Sequence, residues 1–282
     1  MKQKPTPPGK VYLVGAGPGA ADLITVRGAK LLKKAEIVFH DALVEPAMLD
    51  LCPQALKVPV GKRCGKLSSA QYFINKRLVD ATKQYKMVVR LKGGDPMLFG
   101  RADEEIRSLK QVGIEVEVVP GITAALAGAA SLQQSLTLRG VSRSVAFITL
   151  AQANEGNDRR SRNQPILNPT ADTLVYYMGR KDAAKIAQQL IKQSLNGGDT
   201  PVHVLEAVST PRERLWSSTL GELAEGKAND WFDSSSPSLI MVGEALRAKE
   251  LQSKFKDSRH LSTKIDNGLQ HSQILTNSMR CA

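Results

Sequence analysis

Three glycine-rich segments each follow a stretch with the pattern of a β-strand, and their residue types suit ligand binding. They are GAGPG at 15–19, GGDP at 93–96 and PGITA at 120–124. Tight strand-to-helix turns explain one such segment well and three together poorly. Because ligands of open α/β sheets bind at the carboxyl ends of the strands, these segments predict a ligand site lined by backbone.

The ligand class can be narrowed from the same residues. The segment GAGPGA satisfies G-x-G-x-x-A, and Asp41 ends the next predicted strand, where an acid could bind a ribose of NAD(P) in an oxidoreductase. Pro18 argues against a dinucleotide, since it removes an N–H that would donate to a pyrophosphate. A nicotinamide site also leaves KGGDP unexplained. A nucleoside-type ligand without phosphates, such as S-adenosylmethionine, suits these segments better.

Alternating strands and helices position the glycine segments. Predicted strands cover 10–17, 37–44, 87–91 and 115–122, with helices at 22–36, 68–86, 102–113 and 123–132. A second series has strands at 145–151, 173–179, 200–209 and 236–246 and a helix at 182–195. Asp22 is placed to cap the first helix. The alternation predicts an α/β fold with mostly parallel sheets.

The series divide the chain into two predicted α/β domains. The N-terminal domain covers 11–137 and the C-terminal domain 138–247, with a lead-in at 1–10. The polar, Pro/Asn-rich stretch 152–172 is predicted to be an exposed loop. Residues 248–282 lack a sustained apolar period and are predicted to form a mobile tail.

Composition excludes several classes of function. No apolar run approaches the roughly 20 residues of a membrane span, and the first ten residues lack a signal-peptide core, so we expect a cytoplasmic protein without a membrane partner. Three cysteines without CxxC spacing argue against disulfides and zinc, and we expect no metal site. The net charge of +12 is explained most simply by lysines that face water. It comes without a basic–aromatic stripe, which argues against nucleic acid and leaves a polyanionic small molecule as one candidate partner.

Five segments together resemble the uroporphyrinogen-III C-methyltransferase family. They are VYLVGAGPGAADLITVRGAKLL, VGKRCG, VVRLKGGDPMLFGRADEE, VVPGITAALA and YYMG, and the likeness runs nearly collinearly from about 11 to 246. GAGPG and PGIT alone are typical of the wider tetrapyrrole methyltransferase superfamily. VGKR together with RLKGGDP and FGR is more specific to the uroporphyrinogen family.

The resemblance implies a fold, a reaction and site residues. It implies two α/β domains with S-adenosylmethionine in the cleft between them, a homodimer, and two methyl transfers to pyrrole carbons of uroporphyrinogen III. The product would be precorrin-2, formed through precorrin-1, for sirohaem or cobalamin. Matching positions imply cofactor contacts at Pro18, Gly93, Gly94, Asp95, Leu98, Thr123, Ala124, Met178, Ala207 and Val208. Asp41 and Lys62 match the family's proton acceptor and donor; on pattern alone, Met178 looks like a core residue.

The implied substrate carries eight carboxylates, which gives the positive charge a concrete partner. Candidates to pair with them are Lys62, Arg63, Arg90, Arg101, Arg139 and Arg143, each with a solvated or internal ion-pairing role as the alternative. The chain departs from the family pattern on the side expected to face the substrate. The family's LTHRD is LTLRG at 136–140, its TGH is TLA at 149–151, and its FGRGGEE is FGRADEE at 99–105. A paralogue with another precorrin as substrate, or with reduced activity, is therefore an alternative.

Overall fold

The computed structural model describes residues 7–60, 67–150, 170–193 and 196–247, without the side chains of 67–70. The predicted tail at 248–282 lies outside the described residues, as does the predicted loop at 152–172 except for its last three residues. Within the described ranges, no helix combines the length and the apolar character needed to cross a membrane.

The N-terminal sheet is entirely parallel, with strand order β3-β2-β4-β1-β5. Its strands are β1 Lys10–Gly15, β2 Ile37–His40, β3 Leu56–Pro59, β4 Met87–Lys92 and β5 Val116–Val119. Its helices are α1 Val26–Leu32, α2 Pro46–Leu49, α3 Leu67–Ala81, α4 Ala102–Gln111 and α5 Ala124–Ser131. The apolar run 11–14 of β1 suits a sheet that is covered on both faces. Leu32 of α1 packs on one face, and Leu78 of α3 and Leu109 of α4 pack on the other.

The C-terminal sheet is mixed, with strand order β6-β7-β10-β8-β9. Its strands are β6 Val145–Thr149, β7 Thr173–Tyr177, β8 Pro201–Glu206, β9 Arg214–Thr219 and β10 Ser238–Val242, and its helices are α6 Ala183–Lys192 and α7 Leu220–Ala224. Only β6 and β7 pair in parallel, while β10 pairs antiparallel with β7 and β8, and β8 with β9. The α/β prediction is confirmed, but the expectation of mostly parallel strands is wrong for this sheet. The connection 207–213 is too short for the crossover that parallel neighbours need.

The start of the first predicted helix also needs correction. Residues 21–23 form a single 3₁₀ turn, and α1 begins only at Val26. Thr25 caps it, because its Oγ1 accepts a hydrogen bond from the Gly28 N–H at 3.1 Å. Asp22 is therefore not the cap. Strands β3 and β9 were not predicted, and the second strand is shorter than expected because it ends at His40.

Helix α5 connects the two sheets. It follows β5 of the N-terminal sheet, yet its residues Ala125 and Ala127 pack in one cluster with Val175, Leu205 and Met241 of the C-terminal sheet. In the N-terminal sheet, the carboxyl ends of β1, β4 and β5 meet at one edge. The three glycine segments therefore emerge side by side, next to the C-terminal sheet.

Candidate functional site

The glycine segments pack directly against one another. Gly17 and Gly94 exchange two backbone hydrogen bonds, with N···O distances of 3.2 and 2.7 Å, and both have left-handed φ angles, +80° and +69°. A Cβ on Gly121 would lie 2.2 Å from the Gly94 carbonyl oxygen, and one on Gly15 would lie 2.6 Å from Gly121 Cα. Glycine is thus required at 15 and 121 for loop-to-loop contact, whatever binds nearby.

Gly94 differs, because its missing side chain leaves open space. Apart from its chain neighbours, the nearest atom to a Cβ built on Gly94 would be Thr123 Cα, 4.0 Å away. A Cβ on Gly93 would lie 3.2 Å from the Leu43 Cβ. The backbone at Gly94 therefore borders a space that a side chain would fill, and that space is where a ligand can approach the chain.

Asp95 fixes the geometry of this edge. Its Oδ2 accepts a hydrogen bond from the Gly121 N–H, and its Oδ1 accepts one from the Met97 N–H, each at 2.8 Å. The Leu98 N–H bonds to the Asp95 carbonyl oxygen at 3.3 Å, which closes the turn. Both carboxylate oxygens keep lone pairs for a further donor, so Asp95 can brace the loops and still contact a ligand.

Tyr177 links the third glycine segment to the C-terminal sheet. It ends β7, and its hydroxyl lies 2.6 Å from Thr123 Oγ1 and accepts a hydrogen bond from the Ala125 N–H at 3.2 Å. It thereby satisfies an N–H in the first turn of α5. Burial raises the pKa of the Tyr177 phenol. Sequence reasoning missed this role, since a tyrosine at a strand end carries no signal for a contact 54 residues away.

Two residues that follow strands of the C-terminal sheet have left-handed backbones. They are Met178 after β7, with φ +56°, and Ala207 after β8, with φ +47°. Such conformations are uncommon for residues other than glycine and concentrate at functional sites. Met178 is 53% exposed, so the core position suggested by its pattern is wrong.

The segments after β1 and β8 meet across the two sheets. The Ala20 N–H donates to Ser209 Oγ at 3.1 Å, and a Cβ on Gly19 would lie 2.9 Å from the Val208 carbonyl oxygen. Pro18 is half-buried beside this contact. Of the residues predicted to contact the cofactor, Gly94 lies next to Thr123. Their neighbours link the segments, because Gly17 bonds to Gly94 and Tyr177 bonds to Thr123.

A chain of four charged side chains lies below the same edge. Arg90 Nη2 donates to Asp41 Oδ1, Arg90 Nε donates to Glu105 Oε1 at 3.1 Å, and Lys92 Nζ reaches both Glu105 oxygens at 3.1 Å. Burial lowers the pKa of Lys92. For Arg90, burial alone would lower the pKa, but Glu105 and Asp41 raise it overall.

Arg90 is not placed where the sequence prediction put it. We expected it to pair with a substrate carboxylate, but its side chain is 2% exposed and already bonded to Asp41 and Glu105. The alternation along β4 explains this, because Arg90 points to the face covered by α4, where Glu105 lies. The prediction for Arg90 is therefore replaced by an internal role.

The remaining basic candidates differ in their surroundings. Arg101 has a φ of +56° and forms two hydrogen bonds with Glu104, at 2.6 and 2.7 Å. Arg139 is exposed in a tight turn closed by backbone hydrogen bonds between Leu138 and Ser142. Lys62 and Arg63 lie outside the described residues.

The fold and site define an α/β protein whose glycine-rich strand ends border an open space beside Gly94. The family model of the tetrapyrrole (corrin/porphyrin) methylases matches residues 10–224. The chain therefore belongs to the tetrapyrrole methylases.

Curated relatives agree with this assignment. A uroporphyrinogen-III C-methyltransferase of Pseudomonas aeruginosa is 41% identical over 239 residues, 85% of this chain and 95% of that protein. A siroheme synthase of Pseudomonas fluorescens is 43% identical over 247 residues, 87% of this chain. The chain spans about half the length of that relative, 52%.

A solved structure shares the fold. It is a uroporphyrin-III C-methyl transferase from Thermus thermophilus complexed with S-adenyl homocysteine, 36% identical, with a TM-score of 0.70. The match covers 85% of this chain and 94% of that one. The resemblance inferred from the sequence motifs is confirmed.

Proposed function

We propose that this chain transfers methyl groups from S-adenosylmethionine to pyrrole carbons of uroporphyrinogen III, giving precorrin-2 through precorrin-1. The observation that carries the proposal is the open, backbone-lined space beside Gly94, bordered by Thr123. The related Thermus enzyme was solved with S-adenyl homocysteine, the demethylated form of this cofactor. The product would serve sirohaem synthesis, in keeping with the siroheme synthases among the relatives.

The site suits a cofactor without phosphates. A pyrophosphate favours a helix N-terminus with several free N–H groups. Here Pro18 lacks an N–H, and the Ala125 N–H at the start of α5 is bonded to Tyr177. Backbone and uncharged side chains are the main groups on offer. Those that would hold S-adenosylmethionine are Pro18, Gly93, Gly94, Asp95, Leu98, Thr123, Ala124, Met178, Ala207 and Val208.

For methyl transfer, the protein has to position the substrate and to remove a proton. S-adenosylmethionine supplies a methyl group already activated on a sulfonium. The protein must hold a pyrrole carbon in line with that methyl, which accounts for much of the rate in such reactions. Asp41 follows β2 at the edge that carries the glycine segments, and its side chain is 30% exposed. Its carboxylate would accept the proton that the macrocycle loses after the methyl transfer, and Lys62 would act as the proton donor.

Basic side chains would bind the eight carboxylates of the substrate. The exposed Arg139 is available for this role, and Arg101 can contribute while it stays bonded to Glu104. Arg63 completes the set on the basis of the family resemblance. For the protein as a whole, the same resemblance supports a homodimer, and the cysteine pattern suits a reducing cytoplasm.

Asp41→Asn tests the assignment of the proton acceptor. Asparagine keeps the size of the side chain and can still accept from Arg90, but it is not a base at neutral pH. Methyl transfer should slow by about 10²–10⁴-fold, the usual contribution of a positioned base. Affinity for S-adenosylmethionine should stay unchanged. The matched control is Asp50→Asn, an exposed aspartate at the end of α2, which should keep full activity.

Ligand-dependent stability separates the proposal from a nicotinamide oxidoreductase. A ligand that binds only the folded state raises the melting temperature. S-adenosylmethionine should stabilise the wild-type chain, and NAD(P) should not. Stabilisation by NAD(P) alone would contradict the proposed cofactor. Wild-type turnover by Asp41→Asn would contradict the proposed role of Asp41 as proton acceptor.

A further inference from the structure

Arg90 is a buried charge that the proposed reaction does not yet use. Few arginines are fully buried unless they are paired, and leaving one partner unpaired is strongly destabilising. Arg90 lies on β4 between Asp41, which follows β2, and Glu105 of α4. Its side chain therefore bonds both carboxylates.

The guanidinium of Arg90 is held from three directions. Nε donates to Glu105 Oε1 at 3.1 Å, and Nη1 donates to the Leu91 carbonyl oxygen at 3.1 Å and to that of Phe39 at 3.5 Å. Only the Nη2 side reaches Asp41. Because a guanidinium is rigid and planar, fixing Nε and Nη1 also fixes the direction in which Nη2 donates.

Glu105 anchors this arrangement. Its side chain is fully buried and accepts from Arg90, from Gln71 at 3.2 Å and from Lys92 at 3.1 Å. The four charged side chains comprise two positive and two negative groups, so their charges compensate one another and the group can be buried. Asp41 is the only one of the four with a substantially exposed side chain, at 30% against 3% or less for the others.

We propose that Arg90 is a positioning residue that, braced by Glu105, holds the Asp41 carboxylate in the orientation needed to accept the substrate proton. This inference rests on the proposed role of Asp41. The Arg90 guanidinium fixes one oxygen of the Asp41 carboxylate. The exposed part of the Asp41 side chain then stays directed toward the sheet edge that carries the glycine segments. A residue that only held β2, β4 and α4 together would have the same contacts but no specific link to catalysis.

Arg90→Lys, made with and without Asp41→Asn, separates the two roles. Lysine keeps the charge but cannot bond Asp41 and Glu105 through one rigid fork. If Arg90 acts through Asp41, the single variant should lower kcat by about 10²-fold, the cost of a misplacement of about 1 Å. In the Asp41→Asn background the same change should alter kcat by no more than about twofold. The KM for S-adenosylmethionine should not change in either background.

Two further variants keep the test decisive. Arg107→Lys removes an exposed arginine that pairs with Asp103 on α4, and it should leave kcat unchanged. If Arg90→Lys does not fold, Glu105→Gln takes its place. It keeps an acceptor for Arg90 but weakens the brace, so it should lower kcat in the Asp41 background and leave it unchanged in the Asp41→Asn background.

The outcomes are distinct. Equal losses of kcat in both backgrounds would show a merely structural role and overturn the inference. Full activity of Arg90→Lys, or of Asp41→Asn itself, would also overturn the inference about Arg90. Methyl transfer by the wild-type chain would still support the proposed reaction in that case. A wild-type chain that binds S-adenosylmethionine but methylates no uroporphyrinogen III would overturn the proposed reaction and the inference together.

Discussion

Replacing Gly94 by alanine should weaken cofactor binding in addition to its cost in folding stability. The glycine has a φ of +69°, so any L side chain there pays backbone strain of about 1–2 kcal/mol. The added methyl meets nothing closer than 4.0 Å in the protein itself, so no clash adds to that strain. With S-adenosylmethionine in the adjacent space, the methyl would overpack the site at a cost of about 1–3 kcal/mol. At 1.4 kcal/mol per tenfold, Kd should rise about 5- to 150-fold.

Gly113 provides a matched control. It ends the segment after α4 with a φ of +75°, and a Cβ there would have no neighbour within 4 Å. Gly113→Ala should therefore lose the same free energy of unfolding as Gly94→Ala but keep wild-type affinity. Denaturant unfolding and calorimetric titration with S-adenosylmethionine measure the two quantities. Unchanged affinity in a folded Gly94→Ala variant would refute the assignment of this space to the cofactor.

Three further predictions follow from charge and burial. Raising ionic strength from 0.1 to 1 M shortens the Debye length from about 10 to 3 Å, so the KM for uroporphyrinogen III should rise steeply while that for S-adenosylmethionine barely changes; equal sensitivity would point to nonspecific electrostatics. Tyr176 is buried, its hydroxyl has no hydrogen-bond partner among the described residues, and burial raises its pKa to about 12. Tyr176→Phe should therefore keep or raise the free energy of unfolding. Tyr177→Phe, which removes the bond to Thr123, should lower it by about 1 kcal/mol in denaturant unfolding. Burial lowers the pKa of His203 below 6.5, so the unfolded chain binds the proton at a higher pH than the folded chain. The free energy of unfolding should therefore fall as the pH drops below about 6.5. A His203→Gln variant with the same pH dependence of stability would exclude this histidine as the cause.

The glycine segments and the parallel sheet were predictable because their signals are local. Continuous apolar runs such as 11–14 identify buried strands, and the glycines that follow identify strand ends. Parallel strands then bring those ends to one edge without further information. The same logic placed Gly94 and Thr123 near one another, and the structure puts them side by side.

The parts that sequence reasoning missed depend on distant partners. Whether Arg90 faces substrate or core is decided by Glu105 on a helix that follows β4, and a strand pattern does not show which face that helix covers. The bond between Tyr177 and Thr123 joins elements of different sheets. The mixed C-terminal sheet likewise reflects the short connection after β8, which the alternation of strands and helices does not reveal.

The most direct test of the proposed function is incubation of the chain with uroporphyrinogen III and methyl-labelled S-adenosylmethionine. Label should enter the macrocycle in two successive steps, first giving a singly methylated species and then precorrin-2. Omitting uroporphyrinogen III should abolish label transfer. A chain that binds S-adenosylmethionine yet leaves the macrocycle unlabelled would contradict the proposed function.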